Sequence, residues 1–311
     1  EYSLFKTYKT LLDKIEIAFN RSSPLFSLAV YNPLDYYTGD PADIEDYEMK
    51  KGRSGNIVSL IRTGFLKRFE SSVTSFETSC DRILRKLLAF QKKHCETPEE
   101  IKQLASWIDK HDALLGYSSA KQIELWGDEN DDDEIELFPS ELLERWEYLQ
   151  RDQYKVDEII YETFNDLDEL AVFLEETKKF KPENDDKLNK LIRMLDSKKF
   201  AQKKVIVFTE FADTARYVEK QLKKNNIEGV ARIDGGSSGS RFDAVREFSP
   251  YYNHTSSGEL KAKNINEIRV LIATDVLSEG LNLQDCNLLI NYDIHWNPVR
   301  LMQRIGRIDR R

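Results

Sequence analysis

Apolar residues recur every three or four positions at Ile57, Ile61, Phe65, Phe69, Val73, Phe76, Cys80, Ile83, Leu87 and Phe90, which predicts one long amphipathic helix. A second repeat runs through Phe138, Leu142, Trp146, Leu149, Ile160, Phe164, Leu167, Leu170 and Leu174. Two long helices packed on each other make a mostly α-helical unit, assigned here to residues 57–184. Ahead of it, residues 1–56 show one short helical pattern, Leu11, Leu12, Ile15 and Phe19, and a run of aromatics and turn formers from Tyr31 to Pro41. That segment reads as a linker or the edge of a preceding domain. A shorter helix follows Pro182 with Asn184 or Asp185 as its cap and Leu188, Leu191, Ile192 and Leu195 on its apolar face.

The period then changes. Val205 to Thr209 is a continuous β-branched apolar run, as expected of a strand buried on both faces, and Val230 to Ile233, Val270 to Thr274 and Leu288 to Tyr292 repeat the character. Helical stretches from Ala212 to Lys224, from Arg241 to Phe248 and from Pro298 onward separate or follow them. Alternation of strand and helix predicts an α/β fold over residues 185–311, a parallel sheet with helices on both faces. The polar segment from Ser249 to Glu267 is too long for an ordinary connection and reads as a mobile surface insertion.

Composition narrows the class. With 40% hydrophobic and 32% charged residues in 311, the chain suits a soluble, helix-rich protein, and it has no apolar run of membrane-spanning length and no secretory signal. A cytoplasmic protein is the expectation. Cys80, Cys95 and Cys286 lack C-x-x-C spacing and His94, His111, His254 and His295 lack metal spacing, so neither a disulfide framework nor a metal site is expected. The net charge of -9 comes largely from the run Asp128 to Glu134 and the acidic stretch Glu141 to Glu176, so any nucleic-acid surface must be local. Glu1 and Arg311 read as cuts from a longer protein.

In an open parallel sheet ligands collect at the carboxyl ends of the strands. Thr209-Glu210-Phe211, Asp234-Gly235-Gly236-Ser237-Ser238-Gly239, Asp275 with Ser278-Glu279-Gly280, and Asp293 all fall there. The glycine-rich loop lets a phosphate approach backbone N–H groups, or is a plain turn; it is not a P-loop, since G-x-x-x-x-G-K-[ST] occurs nowhere in the sequence. Arg300, Arg304, Arg307 and Arg311 recur at helical spacing with Arg310 beside them. Such a row faces phosphates, carboxylates or simply water.

Gln303-Arg304-Ile305-Gly306-Arg307-Ile308-Asp309-Arg310 resembles motif VI of superfamily 2 helicases. Ala273 to Gln284 resembles motif V of the Snf-type branch and Val205 to Phe211 resembles motif IV. The likeness covers residues from about Asp185 to Arg311 and is to bacterial Snf-type ATPases, including the branch that recycles RNA polymerase. Leu66-Lys67-Arg68-Phe69-Glu70-Ser71-Ser72 is similar to the helical linker of some of these proteins.

The resemblance implies a second RecA-like lobe that completes an ATP site. Arg307 and Arg310 correspond to arginine fingers and Gln303 to a group near the γ-phosphate or the attacking water. Asp275, Glu279, Gly280 and Arg304 fall where the family lines the nucleotide cleft, and Thr209, Gly236, Ser237, Ser238, Thr274 and Asn282 where it touches the nucleic-acid backbone. The implied ligands are ATP and Mg2+, with the Mg2+ ligands on a first RecA-like lobe. The implied partners are that lobe, double-stranded DNA and a protein bound through the helical unit, with no membrane. Asp133-Glu134-Ile135-Glu136 and Asp157-Glu158-Ile159-Ile160 mimic a Walker B box without following a buried strand. The expectation is a parent ATP-dependent helicase or translocase whose isolated fragment is inactive and binds no cofactor tightly. The competing readings are a non-catalytic DNA-binding or scaffold module and an RNA-directed lobe of the same superfamily.

Overall fold

Helices α1 (Leu4–Tyr8) and α2 (Thr10–Ala18) arise from the segment expected to be a linker, yet they fold into the helical unit. Tyr8, Leu11, Ile15 and Ala18, with Phe26, Leu28 and Tyr31 beyond them, are buried in the same core as the long helices. The computed structural model describes residues 2–8, 10–19, 26–117, 149–235, 241–275, 282–295 and 297–308. The acidic run from Asp128 and the first three residues of the second apolar repeat, Phe138, Leu142 and Trp146, lie outside these residues.

The repeat from Ile57 to Phe90 forms two helices rather than one. Helix α3 (Tyr47–Ser71) ends where Ser72 turns extended at φ -160° and ψ 155°, and α4 (Val73–His94) starts with the Ser72 hydroxyl accepting the Ser75 amide at 3.1 Å. The apolar spacing runs across the break, so both helices contribute to one aromatic centre. Phe65 and Phe69 set their rings edge-on to Phe76 at 4.8 and 5.1 Å, and Phe173 closes the group. Phe173 belongs to α6 (Val156–Lys178), which packs along α4; α5 (Pro98–Lys110) opens with a Thr97–Glu100 capping box.

Helix α7 (Asp186–Asp196), capped by Asp185, leads into β1 (Val205–Phe208). Then follow α8 (Ala212–Lys224), β2 (Val230–Ile233), α9 (Arg241–Phe248), α10 (Ser257–Ala262), β3 (Val270–Ala273), β4 (Leu289–Asn291) and α11 (Pro298–Ile305). The four strands are parallel in the order β2-β3-β1-β4, with Val205 opposite Val270 and Ile206 opposite Leu289. Alternation along β1 divides the core. Val205 and Val207 join Leu188, Leu191, Val218 and Leu222 on one face, while Ile206 and Phe208 join Val245, Phe248 and Leu283 on the other. Helices therefore cover both faces, and the lobe is an α/β fold built on a parallel sheet and preceded by a helical region.

The segment expected to be a mobile insertion carries defined structure. Ser256 caps α10, the Tyr251 amide donates to Asp285 at 2.9 Å, and Asn253 donates to the Asn282 carbonyl at 2.8 Å. No described helix is long and apolar enough to cross a membrane.

Candidate functional site

The arginine-bearing helix α11 begins with two local signals, Pro298 in its first turn and an Asn297 side chain accepting the Val299 amide at 2.9 Å. What fixes its roll is Arg304, which is 2% exposed. The guanidinium donates through Nε and one terminal nitrogen to both Asp275 oxygens, at 2.7 and 3.1 Å. Its other terminal nitrogen reaches Asn291 Oδ1 at 3.0 Å and the Asp293 carbonyl at 3.4 Å, and the group lies 5.2 Å from the Phe208 ring centre. This is the planar, two-pronged recognition of a carboxylate that arginine provides and lysine does not.

Arg300, one turn earlier and exposed, also donates to Asp275, at 3.1 Å. One carboxylate at the end of β3 thus accommodates two guanidiniums of one helix and relieves their mutual repulsion. Burial opposes ionisation of Asp275, but the hydrogen bonds and charge of Arg304, reinforced by Arg300, hold its carboxyl below the ordinary carboxylate range. The four-arginine row read in the sequence is therefore divided: Arg300 and Arg304 turn to Asp275, whereas Arg307 lies past the end of the helix, its amide donating to the Arg304 carbonyl at 3.2 Å. Gln303 is exposed and Arg307 half-buried. Met302 and Ile305 are exposed on the same helix.

The two threonines named for nucleic-acid contact differ. Thr209, at the end of β1, is fully buried and its hydroxyl donates to the Asp293 carboxylate. Thr274, at the end of β3, is 6% exposed, and its hydroxyl finds no hydrogen-bond partner among the described residues. Asn282 is half-buried, with Oδ1 accepting the Gln284 amide at 3.3 Å. Gly236, Ser237, Ser238, Glu279, Gly280 and Arg310 lie outside the described residues. So does the first Walker-B-like stretch; the second, Asp157 to Ile160, forms the first turn of α6, where Ile159 and Ile160 enter the helical core.

Among the described residues no group of three His, Cys, Asp or Glu side chains could hold a metal. Cys80 and Cys286 are buried, and desolvation pushes both thiols up. Asn291, Asp293 and Lys187 were assigned no role from sequence, yet they organise this edge of the sheet: the Lys187 ammonium donates to Asp293 at 2.7 Å. For Asp293 the position after a strand was a usable signal. For Lys187, 106 residues away from its partner, there was none.

The family described as Helicase conserved C-terminal domain matches residues 186–311. The uncharacterized ATP-dependent helicase YqhH of Bacillus subtilis is 38% identical over 122 residues, 39% of this chain and 19% of that protein. The ATP-dependent RNA helicase SUB2 of Ajellomyces capsulatus is 31% identical over 125 residues, 40% of this chain and 24% of that protein, and SUB2 of Pyricularia oryzae is 31% identical over 158 residues, 51% and 30%. The chain thus spans less than a third of the length of these relatives. The crystal structure of the Pyrococcus furiosus Hef helicase domain aligns with a TM-score of 0.31 at 20% identity over 76% of this chain and 50% of that one. Residues 186–311, which hold the parallel sheet and the anchored arginine helix, are thus similar in sequence to helicase conserved C-terminal domains.

Proposed function

We propose that this chain is the second motor lobe of an ATP-dependent DNA helicase or translocase of the bacterial Snf-type branch, joined to a helical unit. The observation that carries this reading is the anchoring of α11. Arg304 is held by Asp275, Asn291 and Asp293, so a short helix presents its neighbours in a fixed pose, Gln303 exposed and Arg307 at its end. Fixed guanidiniums are what phosphoryl transfer uses, because the protein's work there is positioning and charge stabilisation.

In this reading a nucleotide lies between this lobe and a first lobe that supplies the Mg2+ ligands. Bound ATP supplies the phosphoanhydride whose hydrolysis drives the motor. Arg307 and Arg310 stabilise charge on the phosphoryl oxygens, Gln303 hydrogen-bonds near the γ-phosphate, and Glu279 and Gly280 line the cleft. Asp275 and Arg304 act one step back, holding the helix. Thr274 has a hydroxyl to offer a nucleic-acid phosphate, and Asn282, Gly236, Ser237 and Ser238 extend that sequence-independent track. Thr209 acts through Asp293 rather than on nucleic acid.

The test is turnover by the full-length protein. Arg307→Ala and Arg310→Ala should each lower DNA-stimulated ATP hydrolysis by about 10³-fold or more with DNA binding largely kept; unchanged turnover in both sinks the reading. Residues 1–311 alone should not turn over ATP. A second reading, an RNA track, is favoured by the relatives named as RNA helicases. Stronger stimulation by duplex RNA than by duplex DNA would select it.

A further inference from the structure

The segment Lys67 to Ser72, singled out in the sequence but unused by the motor reading, reaches directly into the turn after β1. Arg68 is 1% exposed, pairs with Asp213 at 3.3 Å and lies 4.5 Å from the Phe211 ring centre. Lys67 approaches Glu210 at 3.5 Å. At the α3–α4 break, Ser71 and Ser72 both contact the Thr214 hydroxyl, at 2.7 and 2.8 Å, and Ser71 contacts Asp293 Oδ2 at 2.8 Å.

Proton counting fixes the direction of this chain. Each hydroxyl has one proton to give, and the carboxylate has none. Ser71 must donate to Asp293, so Thr214 donates to Ser71 and Ser72 donates to Thr214. Asp293 also receives Thr209, the Glu210 amide at 3.1 Å and Lys187 at 2.7 Å. Lys187 in turn holds the Ser71 carbonyl at 3.0 Å, binding the carboxyl end of α3 to the same point. On its backbone side, Asp293 offers its carbonyl to Arg304 and begins the connection from β4 to α11.

We infer that the helical unit positions the arginine helix through Asp293: Ser71 is a positioning residue whose hydroxyl, by fixing Asp293, sets the pose of Arg304 and of the groups carried with it. The bonds from Ser72 through Thr214 and Ser71 to Asp293, and from the Asp293 carbonyl to Arg304, are buried, so water does not compete for them, and displacement of the α3–α4 break would withdraw a donor from the residue that starts the connection into α11. The inference rests on the motor reading for its effect on turnover, but the mechanical link is separable from it.

The experiment uses the full-length protein carrying Ser71→Ala, with Asp293→Asn as a second variant of nearly equal shape, both measured well below their melting temperatures and per folded molecule. Expected are a fivefold or larger fall in kcat for ATP with KM within twofold, no further loss in the double variant beyond Asp293→Asn alone, and faster hydrogen exchange at the amides of Leu301 to Arg307. A purely local structural role would lower melting temperature while leaving kcat and that exchange unchanged, and this result overturns the inference. Arg307→Ala run in parallel separates the two failures. If it keeps full turnover, the motor reading fails, and the exchange at α11 still decides whether Ser71 controls the helix.

Discussion

Two strand ends of this sheet carry the same pair of residue types, a threonine followed by an acid, and meet opposite fates. Thr209-Glu210 after β1 is roofed by the helical unit, and the Thr209 hydroxyl and Glu210 amide converge on Asp293. Thr274-Asp275 after β3 meets only its own lobe among the described residues: Asp275 clamps Arg304, and the Thr274 hydroxyl is left without a partner there. The difference teaches that a residue's place at a strand end says less about its use than what covers that end.

That contrast can be broken in several ways. The largest effects set Arg304 against Arg307. Arg304→Ala leaves Asp275 with only the exposed Arg300 and strips Asn291 and the Asp293 carbonyl of their donor, and should cost about 3 kcal/mol in denaturant unfolding, whereas Arg307→Ala should cost about 1 kcal/mol or less while removing turnover in the full-length protein. Equal stability losses would erase the division of the arginine row. Next, Thr209→Val withdraws one donor from Asp293 and should destabilise by about 1–3 kcal/mol, read by the same unfolding curves. Thr274→Val, in turn, should leave stability within about 0.5 kcal/mol and weaken nucleic-acid binding about tenfold, the weight of one hydrogen bond to a charged phosphate. If the two valine variants behave alike, the strand ends are equivalent after all.

The smallest effect is in pH. Asp275 has a folded pKa below its unfolded one, so its contribution to stability is fully present above the ordinary carboxylate range and is lost as pH falls through the folded value. Unfolding free energy should therefore drop on acidification below about pH 4, and Asp275→Asn should show a shallower acid dependence in that window. An unchanged slope would mean that the clamp contributes no proton linkage.

The strands and their flanking helices were legible because their signals are local. Val230 to Ile233, Ala212 to Lys224 and Arg241 to Phe248 form the elements that their runs and periods predict. The break at Ser72 was not legible, since the steps Phe69, Val73, Phe76 keep helical spacing across it and all three side chains enter one core. Nor was the place of α1 and α2, which pack on α7 and α6 respectively, more than a hundred residues later. At the candidate site the row of arginines was visible, but which of them would be buried is decided by Asp275, 29 residues before Arg304. Motif resemblance gave Thr209 and Thr274 the same role, and only the covering helical unit separates them.

The seam between the two regions also constrains the order in which the chain can be made. Ser71 is bonded to a residue 222 positions later, and β1 pairs with β4 across more than eighty residues. A growing chain emerging from the ribosome therefore completes the helices around Phe76 long before Asp293 exists, and Arg68, Ser71 and Ser72 wait in water with their final partners unsynthesised. Parallel pairing over such separations is slow and leaves strand edges open meanwhile. The docking segment is thus among the last surfaces of the molecule to dry, and the preformed helical unit becomes the template on which the sheet edge closes.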